Sequence, residues 1–422
     1  MFARVPPGQI YGRMDAIPSK SHAHRLLICA ALSDHESSIK CGSLSDDINA
    51  TMDCLRQMGS EIEYDGKKIT VRPGTSGDGI ISINCRESGS TFRFMLPLTG
   101  AFENDFEIVR EGRLPKRPVS PLYEVLSAHG MELGEKESVP LSSRGVLKGG
   151  TYSIAGNVSS QFISGLLFTL PLLEGDSELV IEGKTESSPY IEMTLDALKL
   201  SGITVERTEN GFRIPGSQKY CVPSEMEVEG DWSNAAFFFV AGALSETGVL
   251  MYGLNTCSSQ GDRRIMEIVR SFGAEVIEYK DMIYVCRKDR NPIDLDCSDN
   301  PDLVPVLAIL GCAVKGRSVF RNVGRLRLKE SDRLKAITEV LCALGGEAFI
   351  EGDDLIVNGS GKLQGGKVDS YNDHRIVMME ILASIITRIS VEITGAEAIN
   401  KSYPGLFEIL MRMWKPAILR KE

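Results

Sequence analysis

The sequence has no C-x-x-C pair, and its ten cysteines stand singly, away from any Cys/His cluster at metal-ligand spacing. This excludes zinc-finger and disulfide scaffolds, leaves no metal or cofactor expected, and points to a reduced, cytoplasmic protein. No apolar run approaches the ~18 residues that span a bilayer. The longest, such as 235–244, stop far short, and the opening Met-Phe-Ala-Arg-Val-Pro-Pro-Gly has no apolar signal region. There is no G-x-x-x-x-G-K-[ST], and no G-x-G-x-x-G after a strand, so nucleotide hydrolysis and Rossmann redox chemistry fit poorly. Basic charge is also in deficit: the net charge of −10 argues against nucleic acid as a partner. The cluster Arg113, Lys116, Arg117 has no interleaved aromatics that would suggest otherwise.

What remains is a folded chain, 42% hydrophobic and 25% charged, whose 422 residues exceed one ordinary core. One phrase recurs along it: LRQMGSEIEYDGKKITV, LKLSGITVERTENGFRI, VRSFGAEVIEYKDMIYV, LCALGGEAFIEGDDLIV and, more loosely, LSAHGMELGE. Its glycines, Gly59, Gly130, Gly202, Gly273 and Gly345, are spaced 71 or 72 residues apart. A helix that ends in Gly and is followed by a hairpin explains each copy. The fixed period implies six units. The sixth helix, near Leu406–Trp414, lacks a following hairpin, and Phe2–Arg13 is expected to supply the missing strands. A second helix per unit begins near Ser21, Ser90, Gln161, Ser233, Asp302 and His374. Each unit thus reads strand, helix, strand, helix, strand, strand. The fold class is α/β, with two similar domains of three repeated units each: 18–229, and 1–17 plus 230–422.

Chemically capable residues crowd the starts of these helices. Helix N-termini carry unpaired N–H groups and partial positive charge, which makes them anion sites. Lys and Arg at such ends reinforce them, Arg by bidentate grip. A cleft between the domains that is lined this way suits a small substrate with several negative charges. Taken singly, the same residues have plainer uses. Ser19, Ser159 and Ser233 suit N-caps. Lys329-Glu330 and Asp332-Arg333 suit a solvated face of local ion pairs, and His374 suits the surface. Their joint occurrence at equivalent repeat positions favours a site.

Five motifs carry a resemblance over essentially the whole chain: Pro18-Ser19-Lys20-Ser21 with Arg25, Ser159-Ser160-Gln161-Phe162, Ser187-Ser188-Pro189-Tyr190, Lys329-Glu330-Ser331-Asp332-Arg333 and Asn372-Asp373-His374-Arg375. Together they resemble the enolpyruvyl transferases, and among these the EPSP synthase family. The resemblance implies an inverted barrel-like fold with pseudo-threefold domains that close over the substrates. It implies transfer of enolpyruvate from phosphoenolpyruvate to the 5-hydroxyl of shikimate 3-phosphate, in aromatic amino acid biosynthesis. Lys20, Asp302 and Glu330 would be the catalytic groups. Lys20, Ser21, Arg25, Ser159, Ser160, Gln161, Ser187, Tyr190, Asp302, Arg325 and Lys329 would hold shikimate 3-phosphate. Lys20, Gly89, Arg117, Gln161, Arg333, Arg375 and Lys401 would hold phosphoenolpyruvate, in the subsite that glyphosate occupies as a charged mimic in this family.

The chain departs from the family pattern at Glu87 and Arg325, where many members carry Asn. The sister enzymes that act on UDP-N-acetylglucosamine share repeats and mechanism. They usually carry Lys-Asn where Lys20-Ser21 stands, and a reactive Cys in the loop 110–117, which has none here. The family usually acts as a monomer without metal or cofactor.

Overall fold

Helices that are apolar on every side have to be buried, and here they form the inner layer of each repeat. The structure, a computed structural model, describes residues 1–75 and 77–416. It separates into two compact units, Pro18–Val228 and Met1–Ile17 with the chain from Glu229 onward.

In Pro18–Val228 the inner helices are Lys20–Ala31, Gly89–Thr99 and Ser160–Thr169, with the first two and the last two in mutual contact. In the other unit Trp232–Leu244, Val304–Ala313 and His374–Ala383 all touch one another. Val304–Ala313 and His374–Ala383 bury every residue. The sheets lie outside these helices and show one face to solvent, as the alternating burial of Leu141–Arg144 and Thr151–Ala155 records.

The strand pattern repeats closely. In the second repeat Ile81–Asn84 runs parallel to Phe106–Val109, which pairs antiparallel with Leu141–Arg144, which pairs in turn with Glu132–Leu133. Four other sheets have the same order. The hairpin glycines Gly59, Gly130, Gly202, Gly273 and Gly345 all take positive φ, from 73° to 114°, which an L side chain rarely adopts. That steric demand is why the glycine, and not the helix sequence, marks the period.

Three repeats are not contiguous, and two of them, the first and the fourth, depart from the simple strand–helix reading. The first sheet borrows its edge strand, Glu225–Glu227, from the far end of its unit, where it runs parallel to Ser37–Lys40. The fourth borrows Gly12–Asp15, parallel to Val249–Tyr252. The N-terminal stretch is therefore shared. Phe2–Val5 pairs with Val391–Thr394 of the sixth repeat, Gly8–Ile10 pairs with Trp414–Pro416, and only Gly12–Asp15 serves the fourth.

Candidate functional site

Five of the six inner helices begin with hydrogen-bonding caps, Val304–Ala313 being the exception. Ser19, Ser88 and Ser159 accept from backbone N–H groups in the first unit, and Asp231 and Asp373 do so in the second. Ser233 is not the cap expected of it. Asp231 takes that place, and the Ser233 hydroxyl and carbonyl instead accept from the Arg375 guanidinium.

In the unit Pro18–Val228, Lys20 opens its helix and its Nζ donates to Asp47 Oδ2 at 2.8 Å. Arg25, one turn on, is fully enclosed. Its three guanidinium nitrogens, Nε, Nη1 and Nη2, donate to Thr194 Oγ1 at 2.9 Å and to the carbonyls of Ser21 and Tyr190 at 2.6 and 2.7 Å. Arg25 therefore gathers Ser21 and Tyr190 around one cation, and burial pulls its pKa down to about 10. Ser187, beside this group, is buried in a left-handed conformation with φ 55°. Arg93 lies in the next helix. It donates to Gln161 Oε1 at 2.9 Å and to Pro118 O at 3.2 Å, while Gln161 Nε2 donates to Ser90 Oγ at 2.8 Å. A methyl group on Gly89 would come within 2.7 Å of both Arg93 Nη1 and Arg117 Nη1. Gly89, Arg117 and Gln161, apart in sequence, are thus brought together. Ser160 caps nothing and sits buried at the start of its helix.

Behind Lys20 and Gly89 runs a buried chain of hydroxyls. His24 Nδ1 and Thr51 Oγ1 share a hydrogen bond of 2.7 Å, Thr51 and Thr91 another of 2.7 Å, and Thr91 donates to the cap Ser88 at 2.8 Å. Burial, then Lys20 and Arg25, hold the imidazole well below its ordinary value, so it is neutral.

In the second unit Arg333 is the hub. It is 1% exposed and binds three carboxylates: Asp302 at 2.7 Å, Glu330, and Asp373 through Nε at 2.9 Å and Nη2 at 3.1 Å. The solvated face that 329–333 suits when taken alone is not what forms: Asp332 caps its helix while Arg333 is buried. Burial works against the Arg333 charge, yet Asp373, Glu330 and Asp302 outweigh it and raise the pKa. Lys329 Nζ lies 3.1 Å from Asp302. Burial alone would raise the Asp302 carboxyl, but Lys329, Arg333 and Arg375 hold it well below the ordinary range, so it stays ionised. Arg325, on the short turn Gly324–Leu328, faces Lys329 closely enough to act on its charge.

Tyr371 and Asn372 both take φ 54°, two successive left-handed residues that deliver Asp373 to its cap. Lys401 Nζ donates to Asn372 O at 2.8 Å, which ties Lys401 to the turn that carries Arg375. His374, expected at the surface, is buried.

Four residues escaped the sequence reading of the site. Asp47 was signalled only by an acidic first helical turn, and Arg93 only by an arginine in an apolar helix. Asp373 was hidden inside its own motif as a helix cap. Asp262 is buried, accepts from Asn300 Nδ2 at 3.4 Å, and is pushed up to about 6 by burial and by Asp302. Nothing local in its sequence marks it.

The comparisons with known proteins agree with one another. A family model described as EPSP synthase (3-phosphoshikimate 1-carboxyvinyltransferase) matches residues 5–410. Relatives named 3-phosphoshikimate 1-carboxyvinyltransferase include one from Clostridium perfringens (strain SM101 / Type A), 40% identical over 99% of both chains. Another, from Clostridium kluyveri, is 39% identical over 96% of both. Among solved structures, EPSP synthase from Acinetobacter baumannii matches with TM-score 0.81 at 24% identity over 98% of each chain. The enolpyruvyl transferase NikO from Streptomyces tendae matches with TM-score 0.77 at 15% identity, again over 98% of each. Among the described residues no helix is long and apolar enough to cross a membrane.

Proposed function

Because the chain belongs to the EPSP synthase family, we propose that it transfers the enolpyruvyl group of phosphoenolpyruvate to the 5-hydroxyl of shikimate 3-phosphate and releases phosphate. It does so as a monomer in the cytoplasm. The free thiols support that compartment: Cys54 and Cys85 lie with sulfurs 4.0 Å apart and unbonded.

Lys20, Ser21, Arg25, Ser159, Ser160, Gln161, Ser187 and Tyr190 hold shikimate 3-phosphate, joined by Asp302, Arg325 and Lys329. The enclosed Arg25 supports this assignment, because its neutral partners leave its charge uncompensated for an anion. Lys20, Gly89, Arg117 and Gln161, with Arg333, Arg375 and Lys401, hold phosphoenolpyruvate.

The reaction needs the 5-hydroxyl to lose a proton and C3 of phosphoenolpyruvate to gain one. The 5-oxygen then bonds to C2, and the resulting tetrahedral ketal gives up a proton from C3 as phosphate leaves C2, which re-forms the double bond of the enol ether. Asp302, ionised beside Lys329 and Arg333, takes the hydroxyl proton, and Glu330 serves the carbon end, with Lys20 beside both substrates. The surrounding cations stabilise phosphate and carboxylate charge and hold the two molecules in line.

One observation carries this reading: Asp302 and Glu330, both acid–base groups, share the single buried guanidinium of Arg333. A phosphate-release assay tests it. Phosphoenolpyruvate with shikimate 3-phosphate should release phosphate. Release with UDP-N-acetylglucosamine instead, or with neither acceptor, would refute it.

A further inference from the structure

The seam that closes the Pro18–Val228 unit carries chemistry of its own. There the chain after the first helix runs beside the end of the unit. Ser33 bridges Tyr220 in parallel, Ser38 N donates to Ser224 O at 2.8 Å, and Ser37–Lys40 pairs with Glu225–Glu227. At the mouth of this seam Asp34, His35 and Cys221 each present a ligand-capable atom, all within 4.8 Å of one another.

The backbone beneath them is fixed. Val222 N donates to Ser33 Oγ at 3.3 Å, and the buried Tyr220 donates its hydroxyl to Phe168 O at 2.7 Å. The residues on either side of Cys221 are therefore anchored in the core, while Cys221 itself faces out. Asp34 Oδ1 already lies 2.7 Å from His35 Nδ1.

We propose that Asp34, His35 and Cys221 form a binding site for a zinc-class divalent transition-metal ion that staples this seam. A thiolate, an imidazole and a carboxylate suit zinc or cobalt, whereas magnesium and calcium prefer sets of oxygens. Bonds of about 2.0–2.3 Å to a tetrahedral ion hold ligand atoms somewhat closer than 4.8 Å, so small side-chain rotations complete the set. Water fills the fourth position. Binding displaces the Cys221 thiol proton and the proton shared by His35 and Asp34, so affinity rises with pH and no electron is transferred.

The other unit provides an internal control. Its corresponding seam joins Gly12–Asp15 to Val249–Tyr252. Neither the residues Ser245, Glu246 and Thr247 after its first helix nor the stretch from Gly8 to Tyr11 contains Cys or His. Linear spacing could not reveal the site, because its ligands come from opposite ends of the unit and meet only through the borrowed strand.

Cobalt(II) titrated into the full-length protein should give a thiolate-to-cobalt charge-transfer band that saturates at one equivalent and is displaced by zinc. Cys221→Ser should abolish the band, and His35→Ala should weaken binding at least about tenfold. Cys257→Ser, which alters another exposed thiol, should leave it intact. Zinc should raise the unfolding midpoint of the wild type and not of Cys221→Ser. The proposal is overturned by absence of a band, by a band that survives Cys221→Ser, or by one lost with Cys257→Ser. A band without a rise in midpoint would overturn the staple.

Discussion

Two arginines, each fully enclosed, are treated in opposite ways by the two units. Arg25 donates only to a hydroxyl and two carbonyls, and burial lowers its pKa to about 10. Arg333 is ringed by Asp302, Glu330 and Asp373, and its pKa is raised. The first has no carboxylate among these hydrogen-bond partners. The second has its charge matched by carboxylates of its own unit. The same repeat has thus produced one buried arginine among neutral acceptors and one among carboxylates.

The sharpest way to break this contrast is at Asp302. Asp302→Asn keeps the shape and removes the proton acceptor, so turnover should fall roughly 10²–10⁴-fold while substrate binding is largely kept. Near-normal turnover would remove Asp302 from the catalytic groups. Next is Arg333→Met, which leaves three carboxylates without their shared cation. Stability measured by chemical denaturation should drop by about 3–5 kcal/mol. The parallel change Arg25→Met strands only neutral oxygens. It should cost about 1–3 kcal/mol of stability and raise the KM for shikimate 3-phosphate by about 10–100-fold. Equal stability losses in the two variants would erase the distinction drawn here. Within the first unit, Gly89→Ala would force apart the guanidiniums of Arg93 and Arg117. It should raise the inhibition constant of glyphosate more than the KM of phosphoenolpyruvate in steady-state competition, since close packing registers one methyl.

The smallest effects expected are a pair with opposite signs in pH. Glu380 is fully buried, neither carboxyl oxygen has a hydrogen-bond partner, and burial, Asp369 and Asp373 raise its pKa well above the ordinary value. A raised acid favours the fold at low pH, and that contribution is lost as pH climbs from the unfolded value toward the folded one. Relative to wild type, Glu380→Gln should gain about 1.4 kcal/mol per pH unit over that interval. His24 is depressed, so its contribution is present above the unfolded imidazole value and is lost as pH falls below it. His24→Gln should therefore flatten the acid limb of the stability profile and Glu380→Gln the alkaline limb. Denaturation curves at several pH values decide both, and parallel shifts at all pH values would count against the buried-charge account.

Much of this was legible from residue order alone. The hairpin glycines give the period because a left-handed helix cap admits few other residues. Lys20, Glu330 and Arg333 stand in motifs specific enough to name the family, and the resemblance then implied Asp302. Local sequence could not show where a backbone segment finds its partner. The borrowed strands Glu225–Glu227 and Gly12–Asp15 look like any short strand until the sheets are assembled. Asp373 reads as a cap, and only packing turns it toward Arg333. Ser233 reads as a cap and became an acceptor for Arg375, because Asp231 already held the helix end. The sequence by itself determined the repeat, the fold class and the chemical types at the helix starts, since these rest on steric and hydrophobic demands felt within a few residues. The tertiary structure alone decided which charges meet, and so which buried arginine sits among neutral oxygens and which among carboxylates, because Coulomb energies in a desolvated interior depend on distances that no local pattern encodes.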